Sequence, residues 1–299
     1  MATERSADTR PAIDAALVRR LVDAKFPQWA ELPLKLLDSA GSDHVIYRLG
    51  EELSVRLPRH AGAIGQAEKE SEWLPRLAPH LPLSIPVPVG VGEPDFGYPW
   101  PWAVCRWLDG EVATVEALAG SSGTAVELAE FLTALQQFAP GDIPGGDARE
   151  DLTGRTLADR DRATRAAIAE VDGVFDTAAM TELWDAALGA PGWDRPPVWF
   201  HGDFHTGNLL TLEGRLSAVI DFGGLGMGDP ACDLTIAFTL MSAGSRAAFR
   251  AALGVDDATW TRGRGWALTT ALNAYTSYAA VNRRVAAQTT QQITEALIG

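Results

Sequence analysis

The sequence predicts an α+β fold with a small, mainly β part before about residue 108 and a larger, mainly α part after it. Short apolar segments separated by turn residues dominate the first part, whereas longer segments with helical periodicity dominate the second. One strand-rich segment, residues 198–222, interrupts the helical part. Because the turn Asp109-Gly110 closes the last strand of the first part, we place the domains at residues 1–108 and 109–299.

The first part begins with a helix, which three strands follow. Four apolar residues recur at the spacing of one helical face and predict a helix from Pro11, namely Ile13, Leu17, Leu21 and Val22. Three short apolar segments bounded by turn residues then predict strands at residues 34–40, 44–50 and 53–58.

A second helix and a last strand complete the first part. The helix is predicted to start at Ile64, and Pro75 is expected to end or kink it because proline lacks a backbone N–H. The proline-dense stretch from Pro79 to Pro101 suits sheet edges and turns. Residues 102–108 then predict a strand.

The second part is mainly helical but contains one predicted hairpin. Helical periodicity covers residues 124–138, 155–170, 177–188, 231–242, 245–253 and 260–296. Between Leu209 and Asp221 the pattern is strand, a Glu213-Gly214 turn, and strand again, which predicts a hairpin.

The composition excludes several classes of protein. A net charge of −14 and a pI near 4.8 argue against partners such as nucleic acid or an anionic membrane, and favour a cationic substrate, although acidity also keeps a protein soluble. Two cysteines, Cys105 and Cys232, exclude a disulfide scaffold. The charged N-terminus lacks the apolar segment of a signal peptide, so we expect a cytoplasmic protein.

The segment HGDFHTGNLL, which begins at His201, is open to three interpretations. His201, Asp203 and His205 alternate, as the ligands of a zinc hydrolase on a strand would. Gly-Asp and Thr-Gly-Asn also form ordinary turns. The third interpretation is a phosphoryl-transfer loop, and it depends on a second motif.

The second motif, VIDFG, follows Asn208 at a distance that the predicted hairpin spans. Asp221 lies thirteen residues after Asn208 (221 − 208), so the two polar motifs flank the hairpin and meet at its open end. Phosphoryl transfer needs a carboxylate near the attacking hydroxyl and oxygen ligands for Mg²⁺. Asp203, Asn208 and Asp221 supply these groups, with the Asp-to-Asn spacing of kinases.

At these residues the chain resembles the aminoglycoside phosphotransferase family, small-molecule kinases with a protein-kinase-like fold. The loop of this family is H-G-D-x-x-x-x-N, which residues 201–208 match, with Gly202 where protein kinases have arginine. The family continues with aspartate, proline and aspartate-leucine, and GDPACDL at residues 228–234 matches. The resemblance extends from about Leu34 to about Leu240 and implies a two-lobed, kinase-like α+β fold.

The resemblance also implies roles for the loop residues. Asp203 is expected to accept or orient the proton of the substrate hydroxyl, and Asn208 and Asp221 are expected to hold Mg²⁺. His201 is expected to order the loop, and His205 to lie at its rim. Two roles remain open for Asp233: it braces the loop through backbone amides, or it is a favourable charge at a helix N-terminus.

The first part is expected to bind the nucleotide. Ser39, Gly41 and Ser42 lie in a turn that either cradles phosphate or is a plain hairpin turn. Strand alternation places Ser54 and Arg56 on one face, where the resemblance implies adenine and phosphate contacts. Arg56 replaces the usual lysine, which changes the shape of the cation but keeps its charge.

The remaining nucleotide contacts follow from the same resemblance. The second helix offers three candidate partners for Arg56, namely Glu68, Glu70 and Glu72. Glu70 best fits the family pattern E-x-x-x-L-x-x-L, with Leu74 and Leu77. Cys105 and Trp107 are expected near the base, through the backbone donors and acceptors of the strand that contains them.

The implied activity is transfer of the γ-phosphoryl group of ATP, or GTP, to a small-molecule hydroxyl. An aminoglycoside-like polycation is the leading acceptor. Another antibiotic (a macrolide or a peptide) and a metabolite alcohol are alternatives. The alternative to an enzyme is a catalytically silent module that binds nucleotide. Only Arg56, in place of the usual lysine, suggests this alternative. A monomer and a homodimer both fit the sequence.

Overall fold

The computed structural model describes residues 12–37, 43–139, 152, 154 and 156–299. Two compact units are present. The first contains the described residues up to Pro79 together with Ile85–Asp109, and the second contains His80–Ser84 and the described residues from Gly110 onward. His80–Ser84 belong to the second unit because Ser84 exchanges backbone hydrogen bonds with Ser217 and Val219, at 3.1 and 2.9 Å.

The first unit is an antiparallel five-stranded sheet with two helices. The strands have the order β1-β2-β3-β5-β4. In chain order the elements are α1 (Ala15–Lys25), β1 (Leu34–Leu36), β2 (His44–Leu49), β3 (Leu53–Pro58), α2 (Gln66–Leu77), β4 (Pro88–Gly92) and β5 (Trp102–Arg106). Pro75 does not end α2, which continues to Leu77, because a proline in the last turn removes only one hydrogen bond.

The two faces of this sheet differ in chemistry. On one face, Val55, Leu57 and Val104 pack against the apolar stripe of α1 and form the main core of the unit. Each fully buried side chain of this size contributes roughly 1.5–3 kcal/mol. The other face presents Ser54 and Arg56 beside their cross-strand partners on β5, as the strand alternation predicts. Because the core occupies one face, the polar residues of β3 are confined to the other.

The second unit is mainly helical. Its elements in chain order are β6 (Glu111–Val112), α3 (Val115–Leu118), α4 (Ser122–Gln137), α5 (Leu157–Glu170), α6 (Thr177–Gly189), β7 (Val198–Phe200), β8 (Leu209–Leu212), β9 (Arg215–Val219), β10 (Gly226–Gly228), α7 (Ile236–Thr239), α8 (Ala243–Leu253), α9 (Asp257–Tyr278) and α10 (Arg283–Ile298). The long helix α9 packs against α5, α6 and α10. Strands β6, β8 and β9 form one small sheet, and β7 pairs with β10.

Two helices predicted for this unit differ from those observed. Residues 260–296 form α9 and α10 instead of one helix, because Asn282 accepts hydrogen bonds from the N–H groups of Arg284 and Val285 and starts a new helix. Residues 231–242 form a 3₁₀ turn, Pro230–Thr235, before the short α7. Along the described part of the chain, no helix is both long and apolar enough to cross a membrane.

Candidate active site

The predicted hairpin brings the two polar motifs together. Strands β8 and β9 pair in antiparallel register, and the backbone N–H of Ile220 donates to the carbonyl of Asn208 at 2.9 Å. Glu213 and Gly214 both adopt the left-handed conformation that a tight two-residue turn requires. Asn208 and Asp221 therefore lie at the same open end of the hairpin.

Gly202 and Gly224 bring the backbones of the two motifs into contact. Gly202 has a φ of +83°, and a Cβ at this position would lie 2.1 Å from the carbonyl oxygen of Gly224. A Cβ at Gly224 would in turn lie 3.0 Å from the carbonyl carbon of Gly202. A side chain at position 202 is excluded both by the backbone conformation and by this contact. The structure thus explains the glycine in the H-G-D motif.

His201 is fully buried and uses both ring nitrogens within the loop. Its Nδ1 accepts a hydrogen bond from the backbone N–H of Asp203 at 3.2 Å, so its Nε2 carries the proton and donates to the carbonyl of Ile220 at 3.0 Å. Burial lowers the pKa of His201 to about 4. The ring is therefore neutral and orders the loop, as expected, and neither nitrogen remains for a metal.

The zinc-hydrolase interpretation therefore has no support in the geometry. In the part of the chain that the structure describes, no three His, Cys, Asp or Glu side chains come together as a metal cluster. His201, Asp203 and His205 do not share a strand face, because β7 ends at Phe200 and residues 201–205 are not part of a strand.

Asp233 braces the loop from a distant segment. Its carboxylate is fully buried and accepts hydrogen bonds from the backbone N–H groups of His201, at 2.7 Å, and Gly202, at 2.8 Å. Burial raises the pKa of Asp233 to about 7, against the opposing effect of these two donors. Of the two roles open to Asp233, the structure shows the brace.

The segment that carries Asp233 is itself held by an ion pair. Asp229 accepts from the Nε of Arg262 on α9, at 2.6 Å, and from the Nη2 of the same side chain at 3.1 Å. Because Arg262 is buried, its guanidinium and the Asp229 carboxylate form a bidentate ion pair that is largely shielded from water. Asp229 also caps the backbone N–H of Ala231.

Two further residues anchor the loop, and the sequence analysis missed both. Thr239 of α7 accepts from the backbone N–H of Thr206 at 3.3 Å, and its hydroxyl lies 3.1 Å from that of Thr206. The ring of Phe204 stacks on Phe131 of α4, with centroids 5.7 Å apart. Threonines and phenylalanines are common in any core, so only tertiary structure identifies these partners.

Asp203 presents its carboxylate at the surface of this braced loop. Its side chain is 55% exposed, and the Nδ2 of Asn208 donates to its carbonyl at 2.9 Å and to its Oδ2 at 3.2 Å. The surrounding loop partly desolvates the carboxylate, which favours its protonated form. The contacts with His205 and Asn208 outweigh this effect and lower the pKa of Asp203. The carboxylate is therefore ionised at neutral pH.

Asn208 and Asp221 fit the ligand preferences of Mg²⁺. Because Asn208 donates to Asp203 through Nδ2, its Oδ1 is left as an oxygen ligand. Asp221 is half-buried and adopts a left-handed conformation, with φ and ψ of 66°, that costs a residue other than glycine roughly 1–3 kcal/mol. Backbone strain at a carboxylate beside the loop indicates a functional constraint.

In the first unit, Arg56 pairs with Glu70, the glutamate that the family pattern favours. The Nη1 of Arg56 lies 2.9 Å from the Oε2 of Glu70, and the side chains are only 9% and 3% exposed. Ser54 shares the face of Arg56 and is buried opposite Cys105. Burial raises the pKa of the Cys105 thiol to about 12, so the thiol is neutral.

The strand β5 offers fewer backbone donors than expected. The N–H of Arg106 donates to Val87, and the N–H of Trp107 donates to Glu52 at 2.7 Å. A base contact by these residues would therefore use their carbonyl oxygens or the Trp107 ring, over which the Arg48 guanidinium lies at 4.4 Å. Ser39, Gly41 and Ser42 lie outside the described residues.

Comparison with known proteins identifies relatives for most of the chain. The model of the phosphotransferase enzyme family matches residues 34–266. No curated protein sequence matches the chain significantly.

Solved structures of antibiotic phosphotransferases share the fold. The GDP complex of wild-type aminoglycoside 2'-phosphotransferase-IIIa is 19% identical, with a TM-score of 0.69 over 96% of this chain and 99% of that one. The streptomycin-ATP-APH(2")-IIa ternary complex is 17% identical, with a TM-score of 0.60 over 97% of both chains. The macrolide 2'-phosphotransferase MphH from Brachybacterium faecium is 21% identical, with a TM-score of 0.59 over 93% and 97%. The chain therefore has the kinase-like α+β fold of these enzymes.

Proposed function

Because the chain belongs to the phosphotransferase enzyme family, we propose that it transfers the γ-phosphoryl group of ATP or GTP to a hydroxyl group of a small molecule. The observation that supports this most directly is the braced hairpin end. There, one ionised, exposed carboxylate, Asp203, adjoins a pair of oxygen ligands, Asn208 and Asp221. A catalytically silent module has no need for a strained carboxylate or an exposed, fixed one.

In this proposal Asp203 serves the acceptor. Its ionised carboxylate accepts a hydrogen bond from the attacking hydroxyl, orients one oxygen lone pair toward phosphorus, and takes the proton as the new bond forms. The braces at His201, Gly202 and Thr206 hold the loop so that this orientation costs little at the moment of reaction.

Asn208 and Asp221 hold Mg²⁺ in this proposal. The bound ion would neutralise phosphate charge and orient the transferred group. Both ligands follow from the hairpin: Asn208 ends the 3₁₀ turn before β8, and Asp221 follows β9 after one residue.

The first unit supplies the nucleotide contacts. Arg56, oriented by Glu70, meets phosphate, and Ser54, Cys105 and Trp107 line the base. We also propose that the turn of Ser39, Gly41 and Ser42, which lies outside the described residues, contacts phosphate. The relatives with GDP and ATP support a purine nucleotide as donor, and leave the choice between the two to experiment.

An aminoglycoside-like polycation is the acceptor that the charge favours. A net charge of −14 attracts a polycation at long range, and relatives in the same fold bind streptomycin. The alternative acceptors are a macrolide, another antibiotic and a metabolite alcohol.

The test is a transfer assay with γ-³²P-ATP and γ-³²P-GTP against aminoglycosides, macrolides and simple alcohols, with Mg²⁺ present or chelated. We expect label on one acceptor class, lost on chelation and in Asp203→Asn. Nucleotide binding without transfer to any acceptor would support the silent module instead.

A further inference from the structure

His205 lies beside the proposed catalytic carboxylate but has no part in the function described so far. Its Nε2 is 3.5 Å from the Oδ2 of Asp203, and its side chain is 38% exposed. The two side chains therefore meet at the surface of the loop.

The His205 ring is held in one orientation. Its Nδ1 accepts a hydrogen bond from the backbone N–H of Gly207 at 3.0 Å, so in the neutral ring the proton lies on Nε2, which faces Asp203. A Cβ at Gly207 would lie 2.8 Å from the Cε1 of His205, so the ring packs directly on this glycine. Both contacts fix where the Nε2–H is.

The two oxygens of Asp203 differ in their surroundings. Oδ2 faces both the Nε2 of His205 and the Nδ2 of Asn208, which is 3.2 Å away. Oδ1 takes no hydrogen bond from any described residue. The hydrogen bond from Asn208 and the nearby ring of His205 both act on Oδ2, which restrains rotation of the carboxylate and leaves the other oxygen for the acceptor.

We propose that His205 is a positioning residue, which holds Oδ2 of Asp203 so that Oδ1 faces the hydroxyl of the acceptor. This inference rests on the proposed phosphoryl transfer. Because Asp203 is more than half exposed, its carboxylate would otherwise sample several rotamers, and misplacement of a reacting group costs up to roughly 100-fold in rate.

Three substitutions at His205 separate positioning from simple packing. Gln places an amide nitrogen near the position of Nε2, Asn places one only near Nδ1, and Ala removes both. We expect kcat to fall roughly 10- to 100-fold in His205→Ala and His205→Asn and to recover to within a few-fold in His205→Gln. We expect KM for nucleotide and acceptor to stay within a few-fold, because neither binds through this ring.

Gly207→Ala tests the same contact without removing the imidazole. The new methyl group would clash with the ring, so the ring must leave its present position beside Asp203 and kcat should fall as in His205→Ala. In the double variant the effects should not add, because both act through one contact. His80→Gln removes an exposed histidine elsewhere and serves as the control, with unchanged kcat.

The result that overturns the inference is a His205→Ala enzyme with near-normal kcat, or one in which Asn restores kcat as well as Gln does. If the wild-type protein transfers no phosphate, the proposed function fails first. Crystal structures then still decide the inference: the Asp203 carboxylate should rotate or take two conformers in His205→Ala and not in His205→Gln. An unchanged carboxylate in His205→Ala would refute it.

Discussion

The backbone N–H of Gly202 donates a 2.8 Å hydrogen bond to Oδ1 of Asp233, although the residues lie 31 positions apart. The other oxygen of the same carboxylate accepts from His201, so one buried side chain satisfies two consecutive N–H groups of the loop that carries Asp203. This contact holds the loop in the conformation that exposes Asp203.

Asp233→Asn should therefore lower both stability and turnover. The amide can accept one of the two N–H groups but turns a donor toward the other, and a buried unsatisfied donor costs about 1–3 kcal/mol. Urea unfolding and kcat measure the two effects. Asp194→Asn, at an exposed site, is the control, and equal behaviour of the two variants would contradict the brace.

Asp203→Asn should reduce phosphoryl transfer by about 10²- to 10⁴-fold, the usual contribution of a general base. Binding of Mg-nucleotide should survive, because in the proposed mechanism Asp203 contacts the acceptor and not the metal. Turnover and calorimetric nucleotide affinity check the two parts. Near-normal turnover in the variant would refute the assignment.

Asp221→Ala should weaken Mg²⁺-dependent nucleotide binding as well as turnover, because a direct ligand for the ion is lost. Asp221→Asn is the sharper variant, since asparagine tolerates the left-handed backbone and loses only the charge. Calorimetry with and without Mg²⁺ measures the effect. Mg-nucleotide affinity equal to that of the wild type in both variants would exclude Asp221 as a ligand.

Arg56→Ala and Glu70→Ala should each destabilise the first unit and weaken nucleotide binding. Removing one partner of a buried ion pair typically costs about 3–5 kcal/mol. The double variant should lose less than the sum. Arg56→Lys keeps a cation and should retain most nucleotide affinity. Additive effects in denaturant unfolding would show that the pair is not coupled.

Buried, neutral His201 should make stability depend on pH. Its pKa is about 4 in the folded protein and near 6.5 in the unfolded chain. Between these two values the unfolded chain binds a proton at this residue and the folded protein does not, so stability is lost as the pH falls. Stability should therefore drop by about 2 kcal/mol between about pH 7 and about pH 5 on account of this residue. His44, also buried with a lowered pKa, adds to the same trend.

The measurement is the pH dependence of unfolding in the wild type and in His201→Gln. The contribution of His44 is common to both proteins and cancels in the difference. The slope between these pH values should be shallower in the variant, and equal slopes would show that His201 is protonated in the folded state.

The fold class and the centre of the site were predictable because their signals are local. Strand alternation places Arg56 beside Ser54, whereas the choice of Glu70 as its partner depended on the family pattern. The Glu213-Gly214 turn is recognisable from residue type, and the length of the two paired strands brings Asn208 close to Asp221. In each case the residues that matter are close in sequence or share one regular element.

The braces of the loop were decided by tertiary structure. Thr239 and Arg262 reach their partners from segments more than thirty residues away, and common residue types in unremarkable positions carry no sign of such contacts. For Asp233 the motif left two roles open, and the structure shows which of them applies. The backbone approach of Gly202 to Gly224 also depends on how two loops pack. The sequence by itself determined the chemistry at the end of the hairpin, because that chemistry depends on residue type and short-range spacing. Packing between distant segments determined which atoms of the loop are hydrogen-bonded, and which residues are their partners.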